Sequence, residues 1–307
     1  MSTSLLARRK HLMALGALAA GSVLRTSGAA VAPVQARVAS IGWTAADVLL
    51  SLGVTPVAAA EKYNVNVLSV DPRQQLPDNC IELGLTNQPN LELLHTLRPD
   101  LIVVDSRHVA IENQLQAIAP VFRLNIYGDP GGRPLERARD QVLELANALD
   151  ITVRAQRYVG TVDASLQEQR KIVDSLGGTP RVLAVQLFMD GRHLNVYGKN
   201  SMLDDVMVRL NVQNAWPGAT PPGHVPTLGI EELDSMPDTL LLYMSDERYA
   251  PIALHNLASN EIWRRLPLVR HGHLAPIPRL YPFGGLDTAL QFGRELTDAL
   301  VRYRKIA

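Results

Sequence analysis

The chain has 307 residues, with 30 lysines and arginines against 30 aspartates and glutamates, and it contains one cysteine, Cys80. That length fits about two domains of ordinary size, and the balanced charge gives no basic excess that would support binding to nucleic acid. A single cysteine excludes an intramolecular disulfide framework and any zinc or iron–sulfur site built from several cysteines.

The first 36 residues have the three parts of a secretory signal peptide. Residues 8–10 are Arg-Arg-Lys, residues 12–24 form an apolar run, and small residues that suit a cleavage site follow over 30–36. The apolar run is shorter than the roughly 20 residues that a membrane-spanning helix needs, so we expect cleavage rather than a permanent anchor. The paired arginines suggest the twin-arginine export route, and an ordinary Sec signal is the alternative.

Removal of this segment changes the charge of the protein. It holds four basic residues and no acidic one, so the mature chain has 26 basic and 30 acidic residues and a formal charge of −4. No cysteine lies near the cleavage region, so we do not expect a lipid anchor. These features predict a mature protein that diffuses freely in the periplasm as a monomer.

Short apolar segments that resemble strands alternate with segments of helical spacing along the mature chain. The predicted strands are Val38–Trp43, Thr55–Ala59, Leu101–Asp105, Phe122–Tyr127, Val182–Phe188, Leu194–Tyr197, Leu240–Met244 and Leu274–Ile277. The predicted helices are Asp47–Leu52, Leu91–Leu97, Leu135–Leu149, Leu203–Leu210 and Leu286–Tyr303. Alternation of this kind indicates an α/β fold with mainly parallel sheets.

Two sequence motifs recur in the same order in the two halves of the chain. Asp47–Val54 matches Asp205–Val212 without a gap. Leu91–Leu94 matches Ile230–Leu233, and a Pro-Asp turn and an apolar strand follow both of these segments. Two matches in the same order favour a pair of related lobes.

A long segment without proline separates the two halves. Over 150–176 apolar residues recur among many charges, and Gly177-Gly178 then supplies a helix stop. We therefore expect one long helix between the lobes, although Gly160 within it lowers helix stability by about 1 kcal/mol. The predicted organisation is a signal peptide over 1–36, an N-terminal α/β lobe over 37–149, a linking helix over 150–176 and a C-terminal α/β lobe over 177–307.

Several of these motifs also carry a family resemblance. The mature chain, from Arg37 to Tyr303, resembles the periplasmic substrate-binding proteins of iron–siderophore ABC transporters, and among them the ferric-hydroxamate binders. The segments that carry the resemblance are Ile41–Trp43, Asp47–Pro56, Leu76–Asp78, Gly84–Leu94 with Arg98–Asp100, Gly198–Ser201, Asn214–Trp216 and Val269–Pro278.

The resemblance implies the class III architecture of these proteins. Two Rossmann-like α/β lobes would be joined by one long helix, with a shallow cleft between them that closes little on binding. It further implies a ferric siderophore as ligand, no other cofactor, no enzymatic activity, and an inner-membrane ABC permease as partner.

The chain departs from the hydroxamate binders at several positions. Thr86 stands where an arginine commonly contacts hydroxamate oxygens, and His108 stands where a ligand-contacting tyrosine is expected. Val104 and Gly223 replace two cleft aromatics, whereas Tyr281 and Phe283 keep aromatic character. These differences leave the class of siderophore open.

A ferric siderophore sets clear demands on a binding site. Because the chelator saturates the iron, the protein needs charge-assisted donors for the ligand oxygens and aromatic faces for the organic scaffold, and no metal ligands. Ligands of open α/β sheets bind beyond the carboxyl ends of strands, so residues at those ends are the expected contacts. The candidates are Trp43, Tyr63, Thr86, Arg107, His108, His224, Arg248, Arg279, Tyr281 and Phe283.

The candidates differ in their expected placement. Trp43 is predicted to end the first strand, and Arg107 with His108 to follow the strand over 101–105, while Tyr63 and Arg248 are predicted to lie in loops. The stiff segment 221–226 presents His224, and Arg279 to Phe283 follow another strand. A solvated loop position is the alternative for Arg107 and His108, and ordinary packing is the alternative for Tyr281 and Phe283.

Exposed carboxylates are candidates for docking on the permease. Binding proteins of this class commonly use one on each lobe, which here points to Glu92 or Glu112 in the first half and Glu231 or Glu232 in the second. Solvated helix-surface charge is the alternative for each.

Three other kinds of function are alternatives. A direct metal-ion binder could use His271 and His273, but no third ligand has a clear spacing. Haem or cobalamin could bind the same fold, with His108 or His224 as an axial ligand. An exported hydrolase is the enzyme alternative, although the chain has no Gly-x-Ser-x-Gly, His-Glu-x-x-His, P-loop or Gly-x-Gly-x-x-Gly motif.

Overall fold

The fold contains two five-stranded sheets. The computed structural model describes residues 36–69, 71–106, 111–127, 132–221, 224–245 and 249–306. The first sheet is parallel throughout and runs, in spatial order, β3 (Ile81–Glu82), β2 (Ala58–Ala59), β1 (Val38–Ile41), β6 (Leu101–Asp105) and β7 (Val121–Leu124). The second runs β10 (Thr227–Gly229), β9 (His193–Val196), β8 (Arg181–Leu187), β11 (Thr239–Ser245) and β12 (Leu274–Pro278). A short hairpin pairs β4 (Gly84–Leu85) with β5 (Gln88–Pro89).

Helices cover and connect these sheets. They are α1 (Trp43–Ser51), α2 (Lys62–Leu68), α3 (Leu91–Leu97), α4 (Glu112–Gln116), α5 (Pro134–Ala148), α6 (Thr152–Ser175), α7 (Met202–Arg209), α8 (Ala250–Ala258), α9 (Glu261–Arg265), α10 (Pro267–Arg270) and α11 (Leu286–Ile306), with 3-10 helices at Pro72–Gln74 and Ile230–Ser235. Side-chain caps fix several starts: Asn90 accepts from the Leu93 amide at 2.9 Å and Ser201 from the Asp204 amide at 3.1 Å. None of the helices in the described residues is both long and apolar enough to cross a membrane.

The strand predictions need two corrections. The segment predicted as a strand over 55–59 pairs only at Ala58–Ala59, because Pro56 has no amide hydrogen to donate to a neighbouring strand. The second sheet is mixed rather than mainly parallel, since β9 is antiparallel to both β8 and β10. The connection between β8 and β9 is a short turn, which permits only antiparallel pairing because a parallel crossover needs a dozen residues or more.

One hydrophobic core joins the two sheets. It contains Val103 of the first sheet, Val162 of α6, Leu242 of the second sheet and Phe292 of α11, each at most 1% exposed. Helix α6 runs between the two halves of the sequence and packs against α5 and α11. The predicted fold class, two α/β halves joined by one long helix, is confirmed. The predicted signal peptide lies outside the described residues.

The sequence repeat has a structural counterpart at the contact between the halves. Asp47, in α1, accepts a hydrogen bond at 2.6 Å from the Gly285 amide, directly before α11 of the other half. Asp205, which matches Asp47 in the repeat, accepts one at 2.9 Å from the Leu135 amide in the first turn of α5. Each aspartate thus caps a helix of the opposite half, and the two contacts join the halves at equivalent positions of the repeat.

Candidate functional site

Four aromatic side chains form a continuous row along the contact between the halves. Ring centroids are 5.2 Å apart for Trp43 and Tyr281, 6.1 Å for Tyr281 and Phe283, and 5.3 Å for Phe283 and Tyr127. We call these four residues the aromatic wall. All four are partly exposed, and tilted or edge-on contacts at these distances are the favoured geometries of aromatic pairs.

Strand ends bring the aromatic wall together. Trp43 follows β1, Tyr127 follows β7, and Tyr281 and Phe283 follow β12, so each side chain comes from the carboxyl-end edge of a sheet. In open α/β folds this edge is where ligands bind. The chain turns sharply between β1 and α1 at Gly42, whose φ of 119° is a conformation that favours glycine.

The first half fixes the segment that carries Tyr281 and Phe283. The Thr44 hydroxyl donates to the Phe283 carbonyl at 2.9 Å, and the Tyr127 hydroxyl donates to the Gly284 carbonyl at 2.5 Å. A Cβ atom at Gly284 would lie 2.0 Å from the Thr288 hydroxyl oxygen, so a larger residue there would have to displace the Thr288 side chain. The wall is therefore pre-formed, and a ligand would meet aromatic faces that already hold their positions.

The hairpin residue Thr86 lies beside the aromatic wall through a shared partner. Glu61 accepts hydrogen bonds from the Trp43 indole N–H at 2.7 Å and from the Thr86 amide and hydroxyl at 3.3 and 3.2 Å. The predicted candidates Trp43 and Thr86 are thus brought together, and Thr86 is partly exposed. The Thr86 hydroxyl already donates its one hydrogen to Glu61, so toward a ligand it can only accept, and it supplies no positive charge.

Arg279 is the cation that the second half contributes to this edge. Its guanidinium carbon lies 5.9 Å from the centre of the Tyr249 ring, a cation–π contact. Burial raises the pKa of the Tyr197 phenol, and the positive charge of Arg279 opposes this rise only in part. His224 is exposed, and its amide donates to the Pro221 carbonyl.

A pocket of about 630 Å³ extends from Trp43 and Tyr281 toward α6 and α11, and its lining includes the carboxyl groups of Asp47 and Asp287. Burial and the nearby Asp287 charge raise the pKa of Asp47 to about 7, against the opposing effect of the Gly285 amide. Burial also raises the pKa of Asp287, although the Tyr158 and Ser51 hydroxyls donate to it at 2.7 and 3.0 Å. The Asp47 carboxyl group therefore binds a proton near neutral pH, which limits the negative charge in this pocket.

The structure corrects the placement of two predicted residues. Trp43 begins α1 instead of ending the first strand, because the strand stops at Ile41 and Gly42 turns the chain. Tyr63 lies in α2 rather than in a loop, and it is 63% exposed. Arg107, His108 and Arg248 lie outside the described residues.

The four predicted docking carboxylates fall into two groups. Glu92, in the first turn of α3, and Glu231 and Glu232, in a 3-10 helix, are exposed. Glu112 forms an ion pair with Arg123 and accepts from Gln116 at 3.1 Å, and its side chain is 13% exposed. Glu92 is therefore the better placed of the two candidates in the first half.

Sequence reasoning missed Tyr127 and Glu61. Both lie within three residues of the carboxyl end of a strand of the first sheet, Tyr127 after β7 and Glu61 after β2, so the rule on strand carboxyl ends was the available signal. No group of three or more histidine, cysteine, aspartate or glutamate side chains in the described part of the chain is arranged to hold a metal ion.

Comparison with known proteins places this geometry in a family. The profile of the family described as periplasmic binding protein matches residues 38–280. The iron(3+)-hydroxamate-binding protein FhuD of Escherichia coli strain K12 is 26% identical over 264 residues, which cover 86% of each chain. The Fe(3+) dicitrate-binding periplasmic protein FecB of the same organism is 25% identical over 191 residues, 61% of this chain and 59% of FecB.

Solved structures share the fold. The Fe³⁺–Desferal-bound siderophore-binding protein FhuD of Vibrio cholerae superposes with a TM-score of 0.78 at 21% identity, covering 87% of this chain and 98% of that one. The triscatecholate siderophore-binding protein FeuA of Bacillus subtilis, complexed with ferri-bacillibactin, superposes at 0.70 with 16% identity, covering 89% and 95%. The family match over most of the chain, together with the two sheets and the long helix, shows that this chain belongs to the periplasmic binding protein family.

Proposed function

We propose that this protein captures a ferric siderophore, of the hydroxamate type, between its two halves and delivers it to an inner-membrane ABC transporter. The observation that carries the proposal is the aromatic wall, which takes Trp43 and Tyr127 from the first half and Tyr281 and Phe283 from the second. Similarity to a hydroxamate-binding protein over 86% of the chain supports the choice of ligand. The role is binding rather than catalysis.

The wall suits the organic part of such a ligand. A hydroxamate siderophore wraps its iron in a compact, partly apolar shell, and aromatic faces bury apolar surface without needing to rearrange. The iron is saturated by its chelator, so the site needs no metal ligand of its own. His224 and Arg279 add polar donors around the wall, and Thr86 adds an acceptor.

The remaining candidates extend the site beyond the described residues. Arg107 and His108 follow β6, and Arg248 follows β11, so all three belong to connections at strand carboxyl ends. We propose that Arg107 supplies the charged donor that Thr86 does not, while Tyr63 contributes at the rim. Replacing Arg107 with alanine should then weaken binding at least a few-fold.

Docking and location follow from the same proposal. Glu92 on the first half and Glu231 or Glu232 on the second would meet basic residues of the permease, with Glu112 less available because of its ion pair. Residues 1–36 would direct export, through the twin-arginine route, and be removed. The mature protein would consist of lobes over 37–149 and 177–307 joined by the helix over 150–176, and would act as a freely diffusing periplasmic monomer.

Titration of the mature protein with chelates of different classes tests the proposal. Ferrichrome, Fe³⁺–Desferal, ferri-bacillibactin, ferric dicitrate, haem and cobalamin would each be added while intrinsic fluorescence is recorded. Tight one-to-one binding of a ferric hydroxamate, and none by the iron-free chelator at the same concentration, is the expected result. Preference for haem, cobalamin or a free metal ion would replace the siderophore with that ligand.

A further inference from the structure

Glu61 joins two elements of the candidate site that are far apart in sequence. One carboxylate oxygen accepts from the Trp43 indole at 2.7 Å and from the Asn64 amide at 3.1 Å. The other accepts from both the amide and the hydroxyl of Thr86. Four donors therefore converge on the Glu61 carboxylate. Removing this carboxylate would break the hydrogen bonds that connect the Trp43 ring to the hairpin.

The backbone around Glu61 is itself constrained. Its φ of 53° lies in the left-handed region, and its amide donates to the Gly84 carbonyl of the hairpin at 2.8 Å. Trp43 in turn contacts Tyr281 of the other half at 5.2 Å. A substitution of Glu61 would thus alter the aromatic wall through Trp43, without a direct contact between residue 61 and Tyr281 or Phe283 being changed.

Glu61 also carries charge at the edge of the site. Partial burial opposes its ionisation, but the hydrogen bonds from Asn64, Thr86 and Trp43 together lower the pKa of Glu61 below its ordinary value. Its sequence neighbour Lys62 directs its ammonium group to the carbonyl oxygens of Asp78 and Cys80, each at 3.1 Å. Glu82, which accepts from the Lys62 and Gly84 amides, adds a second carboxylate beside the hairpin.

We propose that Glu61 is a positioning residue that aligns Trp43 with the Thr86 hairpin, and that its carboxylate makes the site select ferric complexes without net negative charge. Three hydroxamates neutralise Fe³⁺, whereas three catecholates leave the complex with three negative charges. A fixed carboxylate at the rim repels the second kind and not the first. This inference rests on the proposed function and narrows it to neutral or cationic ferric chelates.

The test compares two probes on matched variants. Ferrichrome, which is neutral, and ferri-bacillibactin, which is a trianion, would be titrated into the wild type, Glu61→Gln and the control Glu144→Gln. Glu144 is exposed on α5, where it pairs with Gln141, and lies outside the site. The glutamine at 61 keeps one acceptor oxygen for Trp43 but presents an N–H₂ group to the Thr86 donors.

The positioning role and the charge selection predict different changes in affinity. Glu61→Gln should weaken ferrichrome binding at least fivefold while lowering the preference for ferrichrome over ferri-bacillibactin at least tenfold, and Glu144→Gln should change neither. Unchanged ferrichrome affinity would overturn the positioning role. An equal loss for both probes would overturn the charge selection, because a purely structural change does not distinguish ligand charge.

A third measurement needs no ligand. The indole N–H resonance of Trp43 in the free protein should move on Glu61→Ala, because the 2.7 Å hydrogen bond is gone. An unmoved resonance would overturn the positioning role. If the wild type bound no ferric chelate, the proposed function and the charge selection would fail together, and this resonance would still decide the positioning role.

Discussion

Replacing Asp47 with asparagine should stabilise the protein at pH 8 and leave its stability at pH 4 unchanged. Asp47 lies in the contact between the halves, where burial and the neighbouring Asp287 raise its pKa from 3.8 to about 7. In the unfolded chain the carboxyl group has its ordinary pKa. The folded state therefore binds more protons than the unfolded state between about pH 4 and pH 7, and this group's contribution to stability falls as the pH rises through that window.

The magnitude follows from that difference in pKa. At about 1.4 kcal/mol for each pKa unit, a rise from 3.8 to about 7 bounds the effect at about 4 kcal/mol. Two effects reduce the gain from asparagine. Its N–H₂ group needs a new partner in a half-buried place, and Asp287 remains in its buried position. We expect a net gain of about 1–2 kcal/mol at pH 8, while the amide oxygen still accepts from the Gly285 amide.

Urea unfolding of both proteins at several pH values between 4 and 8 measures this effect. The difference between variant and wild type is the informative quantity, because carboxyl groups other than the neighbouring Asp287 titrate alike in both proteins and cancel. Asp205→Asn is the matched comparison, since Asp205 makes the equivalent contact to the Leu135 amide and burial raises its pKa against the opposing effect of that amide. A difference between Asp47→Asn and wild type that did not grow from pH 4 to pH 8 would refute the reasoning.

Three further substitutions separate binding from stability. Tyr127→Phe removes the hydroxyl that donates to the Gly284 carbonyl, so ferrichrome affinity measured by fluorescence should fall two- to fivefold while stability falls by about 1 kcal/mol; unchanged affinity would mean that this bond does not hold the wall. Phe292→Ala empties a fully buried position in the shared core and should lower the free energy of unfolding by about 3–5 kcal/mol, with ferrichrome affinity of the folded protein unaltered; a loss below 1 kcal/mol would contradict the shared core. Gly285→Ala places a Cβ atom 2.9 Å from a Val48 methyl group and 3.2 Å from an Asp47 oxygen, so urea unfolding should show a loss of about 1–3 kcal/mol; a neutral result would show that the contact between the halves yields easily.

The sequence was informative wherever structure depends on local pattern. Strands such as Leu101–Asp105 and the helix over 150–176 were predictable because periodicity and stop signals are local. The match of Asp47 with Asp205 predicted related halves, but not that each aspartate caps a helix of the other half. That contact joins residues up to 238 positions apart, and no local signal encodes it.

In the candidate site, too, some residues were predictable from local pattern and others depend on tertiary contacts. Placement at or after the carboxyl end of a predicted strand was enough to single out Trp43, Tyr281 and Phe283, since the rule concerns topology alone. The importance of Glu61 depends on donors from Trp43 and Thr86, 18 and 25 residues away, meeting at one carboxylate. Such convergence is set by tertiary packing, which the chain order does not reveal.

Emission from Trp43 alone tests the central claim most directly. The chain has three tryptophans, and Trp216 and Trp263 pack in the core of the second half, so a Trp216→Phe/Trp263→Phe variant reports only on the aromatic wall. Because a ferric hydroxamate absorbs light and quenches nearby indoles, titration with ferrichrome should extinguish most of this emission at one equivalent. Binding of ferrichrome that left Trp43 emission unchanged would place the ligand away from the aromatic wall and contradict the account.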